Sequence, residues 1–409
     1  MTSLTTRNIR MALQSIRSTK LRSLLTMLGI IIGVASVITA VSLGEGIRQQ
    51  IAGNLEVSDK NVITVRPGKL VDRDAKGKIT AVNYSAAIGS DTLTDQDVVN
   101  LEKQNSVKSV IPLSTISALA RSMDGREFDG VVIGTTPEFL AVSGQKVAYG
   151  DFLPTTPTTR DVAVVGKAVA EELFRENVPI GQSLELRGHK FIVGGVFDSF
   201  TSNSFSLTSD LNRAIFIPYT TAKSISSNSA HIYQILVEPK ESVAQTAADV
   251  ESALTFTHSG QKDFAVLTQE ETMQVAGRTL TTLTSFIAGI AAISLIVGGI
   301  GIMNIMFVGV TERTREIGVR KSLGATNRQI YSQFLVEATI ISVVGGIIGV
   351  LLALGVNFFV TIFTSLRPAA TLPIVGVAVL SAMAVGMIFG TAPAVKAARK
   401  DPIESLRYQ

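Results

Sequence analysis

Residues 283–310 read LTSFIAGIAAISLIVGGIGIMNIMFVGV, 28 positions without a charged side chain. A helix rises about 1.5 Å per residue, so about 20 apolar residues cross a hydrocarbon core of roughly 30 Å. Core helices of soluble proteins rarely run that far uncharged, and the stretch therefore reads as a membrane span. Three others match it, 24–43, 334–360 and 372–395, and Glu337 is the single charged residue in all four. They explain an overall charge content of 17%, against roughly 25% in ordinary globular chains. Ala40-Val41-Ser42 fits a signal-peptide cleavage pattern, but the apolar run is longer than the usual stretch of about 7–15 residues. The first stretch reads as a retained anchor.

Basic residues flank these spans unevenly. Residues 1–22 carry Arg7, Arg10, Arg17, Lys20 and Arg22 and no acid. The loop 311–333 carries Arg313, Arg315, Arg320, Lys321 and Arg328 against Glu312 and Glu316. The tail 396–409 carries Lys396, Arg399, Lys400 and Arg407 against Asp401 and Glu404, while 44–279 holds 22 basic and 28 acidic residues. Short basic flanks stay in the cytoplasm, whereas long segments cross largely regardless of charge. Both termini and the 311–333 loop are accordingly expected inside, with 44–279 and the short loop 361–371 outside. The expected fold is a multi-pass protein of the cell membrane, four transmembrane α-helices with a large α+β extracytoplasmic domain inserted between helices 1 and 2. Membrane lipid is a partner the basic clusters fit. Nucleic acid is not, because the clusters abut apolar spans and lack interleaved aromatics.

Within 44–279, residues 61–66 alternate and end at Pro67-Gly68, a strand and turn. Thr94-Asp95-Gln96-Asp97 has the form of a capping box opening a helix. Strands are expected at 107–112, 128–134, 162–166, 184–186, 191–197, 214–218 and 232–237, with hairpin turns at Met123-Asp124-Gly125-Arg126 and Arg187-Gly188-His189. Helices are expected at 168–174 and 243–254, and polar loops at 69–91 and 198–210. Mixed strands and helices of this extent predict an α+β domain of two subdomains. The chain has no cysteine, and His189, His231 and His258 lack ligand-like spacing. Neither a metal site nor a catalytic constellation is expected, so the chain does not read as an enzyme.

Small residues recur at four-residue spacing in the spans: Gly29 and Gly33, Gly345 and Gly349, Gly386 and Gly390, with Gly301 and Gly309 two steps apart. Such faces let helix backbones approach closely. Asn304 is expected to form an interhelical hydrogen bond, and Glu337 to snorkel or to pair with a basic residue. In the 311–333 loop, Ile317, Arg320 and Lys321 share one helical face; Gly324 would end that helix, and Thr326 or Asn327 would cap the next. Such a charged helix could be a handle for a cytosolic partner or an anchor on anionic lipid; residue chemistry alone leaves both open.

These segments resemble the MacB-type family of ABC transporter permeases. The resemblance rests on 8–28, 162–174, 179–182, 301–306, 312–325, 334–338 and 393–407, and runs nearly end to end. It implies a homodimer bound to cytosolic ABC ATPase subunits, with an extracytoplasmic adaptor protein as a further partner. It also implies an amphipathic helix within 1–22 along the inner surface. Arg315, Glu316, Gly318, Arg320, Lys321, Gly324 and Ala325 would form the coupling helix on which the ATPase docks. None of the Gly-Lys pairs at 68–69, 77–78 and 166–167 has the upstream glycine of a phosphate-binding loop. The expectation is a stand-alone permease that binds no cofactor directly, with ATP and Mg held by the ATPase. The family further implies mechanotransmission, in which ATP-driven motion inside reshapes the outer domain and expels a hydrophobic drug, peptide or lipid-linked substrate. The alternative is a signal relay like that of the related FtsX proteins, acting on an extracytoplasmic cell-wall enzyme.

Overall fold

A computed structural model describes residues 20–56, 62–75, 77–87, 91–155, 161–198, 211–226, 231–364 and 366–407. The expected N-terminal amphipathic helix lies almost entirely outside these residues, as does the expected loop at 198–210 beyond Asp198. The chain divides into two units, Met1–Arg48 with Leu280–Gln409, and Gln49–Thr279.

Among the described residues, four helices are long and apolar enough to cross a membrane. They are α1 (Lys20–Glu56), α2 (Gln269–Glu312), α4 (Asn327–Phe363) and α5 (Leu372–Ala398); a short α3 (Thr314–Ser322) joins α2 to α4, and α6 (Pro402–Arg407) follows α5. Helical structure outruns the apolar windows. The second helix begins at Gln269, and its first turns, with Glu270, Glu271, Thr272 and Arg278, are too polar for a hydropathy reading to include. Thr326 caps α4: its Oγ1 accepts from the Gln329 N–H at 3.3 Å, and Gln329 Oε1 accepts from the Thr326 N–H at 2.9 Å. Pro373 sits in the first turn of α5, where a missing N–H costs nothing.

The bundle closes through small residues. Met27, Ile30, Ile31, Val34, Ala35 and Ile38 recur at three- and four-residue intervals on α1 and are buried. A Cβ on Gly29 would lie 2.7 Å from Gly298 Cα of α2, and one on Gly33 would lie 2.8 Å from Leu295 Cγ. On the α4 side, a Cβ on Gly345 would touch Ile30 at 3.4 Å, and one on Gly349 would meet the Ile31 carbonyl at 2.9 Å. Gly386 and Gly390 of α5 face Ser342 and Ala338 of α4, and Gly299 of α2 accommodates the Phe389 ring of α5. The contacts therefore run α1 to α2, α2 to α5, α5 to α4 and α4 back to α1. Large apolar side chains such as Phe286, Ile290, Phe358 and Ile388 point outward, the surface a lipid solvent requires.

The inserted unit is built on a ten-stranded sheet of order β12-β1-β11-β4-β5-β10-β7-β9-β6, with β8 off this path against β4 and β9. The strands are β1 (Ile63–Pro67), β2 (Val71–Arg73), β3 (Ile79–Val82), β4 (Val107–Ser122), β5 (Glu127–Thr135) and β6 (Val147–Gly150). They continue as β7 (Val162–Val165), β8 (Ser183–Leu186), β9 (His189–Phe197), β10 (Ala214–Pro218), β11 (His231–Pro239) and β12 (Phe264–Leu267). The 16-residue β4 pairs first with β11 and then with β5, so one strand serves two halves. Ile63, Val65, Ile235 and Val237 bury against the helices Asp95–Glu102 and Val243–Thr257. Ile116, Ala118 and Ala120 from the far end of β4 join Leu173, Phe191 and Ile215 in a second core. Arg187 and Gly188, both at positive φ, make the tight turn between β8 and β9. The polar stretch 69–91 holds β2, β3 and the helix Tyr84–Ala87 where a loop is expected, because Leu70, Val71 and Ile79 bury against Leu267.

Candidate functional site

The elbow between α2 and α4 combines charge, exposed apolar surface and fixed geometry. Arg313, at φ −101° and ψ 17°, breaks the helix after Glu312. The Thr314 hydroxyl donates to the Val310 carbonyl at 3.0 Å, and the Ile317 N–H to the Arg313 carbonyl at 3.1 Å, so α3 starts at once. Glu316 lies in its first turn and Arg320 and Lys321 in its last, an order that suits the helix dipole. Gly324 then takes φ +95°, a left-handed conformation that ends the helix without Cβ strain.

The two faces of α3 differ. Inward, Ile317 is fully buried. A Cβ on Gly318 would lie 2.8 Å from Ser405 Cβ of α6. Lys321 Nζ donates to the carbonyls of Ala398, at 2.6 Å, and Lys400, at 2.8 Å. Outward lie Arg315, Glu316, Val319 and Leu323, with Leu323 83% exposed. Arg320 lies between the faces, reaching Gln333 Oε1 at 3.4 Å and Glu316 at 3.5 Å. Gly324 is exposed, and Ala325 packs against the bundle core.

The expected coupling set thus separates. Arg315, Glu316 and Gly324 face solvent, Arg320 is half-buried, and Gly318, Lys321 and Ala325 are turned toward the protein. The separation has a simple cause: α6, far along the chain, covers a face that helical spacing alone leaves open. Val319 and Leu323, outside the expected set, share the exposed face, their apolar side chains out of phase with Ile317. Glu337 is paired, its carboxylate accepting from Arg313 Nη1 at 3.2 and 3.5 Å.

Gly29, Gly33, Gly345, Gly349, Gly386 and Gly390 all lie at helix–helix contacts. Asn304 does not. The inward face of α2 is set by Ile302, Met306 and Val310, four residues apart, and Asn304 lies about 200° around from Ile302, exposed. Gly309 likewise meets nothing within 4 Å. The glycines that sequence spacing missed are Gly298 and Gly299; the buried series Ala291, Leu295, Gly298, Ile302 carries the signal.

In the inserted unit the polar clusters fasten structure. Asp95 joins Tyr219 and Lys223, linking the helix Asp95–Glu102 to the helix Tyr219–Ile225. Burial raises the Asp95 pKa, but Lys223 and Tyr219 outweigh it and hold the carboxyl below its ordinary range. The same burial, with Asp95 alongside, pushes the Tyr219 hydroxyl up. Burial also lifts Tyr233 to about 12, against the nearby Arg66 charge. His258 lies between Asp263 at 2.5 Å and Asp97 at 3.2 Å, and the Asp97 carboxylate also accepts from the Thr94 N–H that opens its helix. Among the described residues no group of three His, Cys, Asp or Glu side chains could hold a metal ion.

Comparison with known proteins places this geometry in a family. A model described as the MacB-like periplasmic core domain matches residues 23–253, and one described as the FtsX-like permease C-terminal matches 288–402. The uncharacterized ABC transporter permease YknZ of Bacillus subtilis (strain 168) is 35% identical over 415 residues, covering 98% of this chain and 99% of the relative. The macrolide export ATP-binding/permease protein MacB of Bordetella avium (strain 197N) is 36% identical over 97% of this chain; the chain spans 59% of that relative's length. The crystal structure of the periplasmic region of MacB from Actinobacillus actinomycetemcomitans aligns with 55% of this chain and 97% of that one, at a TM-score of 0.44 and 20% identity. The chain belongs to the MacB-like family of ABC transporter permeases, with a β-rich extracytoplasmic domain between its first and second membrane helices and an FtsX-like permease C-terminal region over 288–402.

Proposed function

We propose that the chain is the permease subunit of an ATP-driven exporter working by mechanotransmission. A separate cytosolic ABC ATPase, holding ATP and Mg, docks on the outward face of α3, through Arg315, Glu316, Val319 and Leu323. Both termini and the elbow lie on the cytoplasmic side, and two copies of the chain form the working unit. ATP-driven closure moves the elbow, the four helices carry the movement, and the extracytoplasmic domain changes shape to drive efflux, with an adaptor protein outside. The substrate is a hydrophobic drug, peptide or lipid-linked molecule. The observation that carries this reading is the elbow itself: a short helix, fixed to the bundle on one face, that presents charge and a largely exposed leucine on the other. The apolar spans support it, since Glu337 is their one charge and is already paired, leaving no chain of ionisable groups for proton-coupled transport.

The test is reconstitution of the permease with its ATPase in lipid vesicles. Substrate-stimulated ATP hydrolysis is the expected result. Stimulation only by an extracytoplasmic cell-wall hydrolase would replace export with a signal relay.

A further inference from the structure

The elbow is fastened at both ends, and to different membrane helices. At its start, Arg313 is the one residue between α2 and α3. Its guanidinium meets Glu337 of α4, whose side chain is 9% exposed. At its end, Lys321 donates to Ala398, the last residue of α5, and to Lys400 just beyond. The Ala398 carbonyl is one of the orphan acceptors at the α5 C-terminus, where the dipole favours a cation, and the Lys400 carbonyl lies two residues past it. Between the two ends, Gly318 lets α6 approach and Ile317 is fully buried.

We propose that Arg313–Glu337 and Lys321 are two straps that make α3 a lever, passing its displacement to α4 and α5 together. A helix held only by its connecting loops would tilt under load and dissipate the movement. Charge-assisted bonds in partly buried surroundings resist that tilt, and losing one partner of such a pair is costly. Neither Arg313 nor Lys321 needs to touch an ATPase for this; both are positioning residues. The lever deepens the reading of α3 as the ATPase dock and rests on it for its biological use, while the straps can be tested without an ATPase.

The chain has no cysteine, so introduced cysteines carry the only spin labels. One pair, Arg315→Cys with Ile362→Cys, reports the start of the elbow beside Arg313; the other, Leu323→Cys with Ile362→Cys, reports its end beside Lys321. Distances are measured by pulsed electron paramagnetic resonance in the full-length permease in lipid nanodiscs, with labelled chains diluted into unlabelled ones. Glu337→Gln should broaden the first distribution about twofold and leave the second narrow, since it frees one end only. Lys321→Gln should do the reverse, and the exchange Arg313→Glu with Glu337→Arg should restore the first. Arg313→Gln, at a side chain one-third exposed, serves if Glu337→Gln does not fold. Narrow distributions in every variant would overturn the straps, and so would equal broadening of both pairs by either variant. Co-purification of an ATPase with the unmodified permease tests the docking reading separately.

Discussion

Replacing Gly29 by alanine tests whether close backbone packing holds the bundle together. The new Cβ would lie 2.7 Å from Gly298 Cα and 3.0 Å from Gly298 N, both main-chain atoms that no rotamer change can move. Helices α1 and α2 must therefore separate by several tenths of an ångström along this contact. Overpacking of this kind costs about 1–3 kcal/mol, and helix association in lipid depends on such packing. Alanine returns up to about 1 kcal/mol in helix propensity. The net expectation is about 1–2 kcal/mol of destabilisation, roughly a 5- to 30-fold fall in the folded-to-unfolded ratio. Gly355→Ala on α4 is the control, because nothing lies within 4 Å of its added Cβ and only propensity acts there. Titration of the purified permease with SDS in mixed micelles, followed by circular dichroism, reads both variants; the chain has no tryptophan for fluorescence. Gly29→Ala should unfold at lower SDS than the unmodified permease, and Gly355→Ala at equal or higher SDS. Adding Gly298→Ala to Gly29→Ala should cost little more, since one separation relieves both clashes. A Gly29→Ala midpoint matching that of Gly355→Ala would refute the packing account.

Leu323→Asp should reduce ATPase co-purification at least about tenfold, since burying a leucine at an interface is worth about 1.5–3 kcal/mol. Its melting temperature should not change, because the side chain is already 83% exposed; undiminished co-purification would remove Leu323 from the dock. Asp95 provides a pH test: its folded-state pKa is depressed, so its stabilisation is complete above the unfolded value of about 3.9 and is lost as pH falls through the folded value. Because Asp95 and Lys223 are both more than one-third exposed, the effect is about 1 kcal/mol or less. Thermal unfolding followed by circular dichroism should show Asp95→Asn less stable than the unmodified chain near neutrality, and the gap should narrow as the pH falls below the ordinary carboxylate range; a gap unchanged by acid would count against the linkage.

The membrane helices were legible because an uncharged run of twenty-odd residues is a property of composition, independent of what packs where. The glycine faces were legible for a related reason: four-residue spacing fixes the phase of a helix. Phase does not name the neighbour, and so Gly298 escaped notice, while Asn304, expected in an interhelical hydrogen bond, lies exposed on α2. The elbow shows the same boundary more sharply. Its ends were readable from Gly324 and Thr326, but its inward face is made by α6 and by the end of α5, more than 70 residues on. In the extracytoplasmic domain, the turns at Gly125 and Gly188 and the helix start at Thr94 are local and were anticipated. Strand β12 escaped because four residues, Phe264–Leu267, carry no period, and their pairing with β1 spans some 200 positions.

The bundle's packing bears on how it can act. Three of the helix pairs described meet through glycines whose added Cβ would strike backbone or a neighbouring Cβ. An interior packed at such density transmits displacement because it has no slack to absorb it. If the elbow moves α4 and α5 together, the contacts Gly349 to Ile31 and Gly299 to Phe389 oblige α1 and α2 either to follow or to repack. Since α1 and α2 are the helices that bracket the extracytoplasmic domain in sequence, movement entering at α3 would, under the proposed function, leave the membrane through the two segments that lead into that domain. A route of this kind needs no polar path through the spans. It does need the glycine contacts intact, so a packing variant such as Gly349→Leu should uncouple ATP hydrolysis from efflux while the ATPase still docks; efflux that scales normally with hydrolysis in that variant would separate packing from transmission.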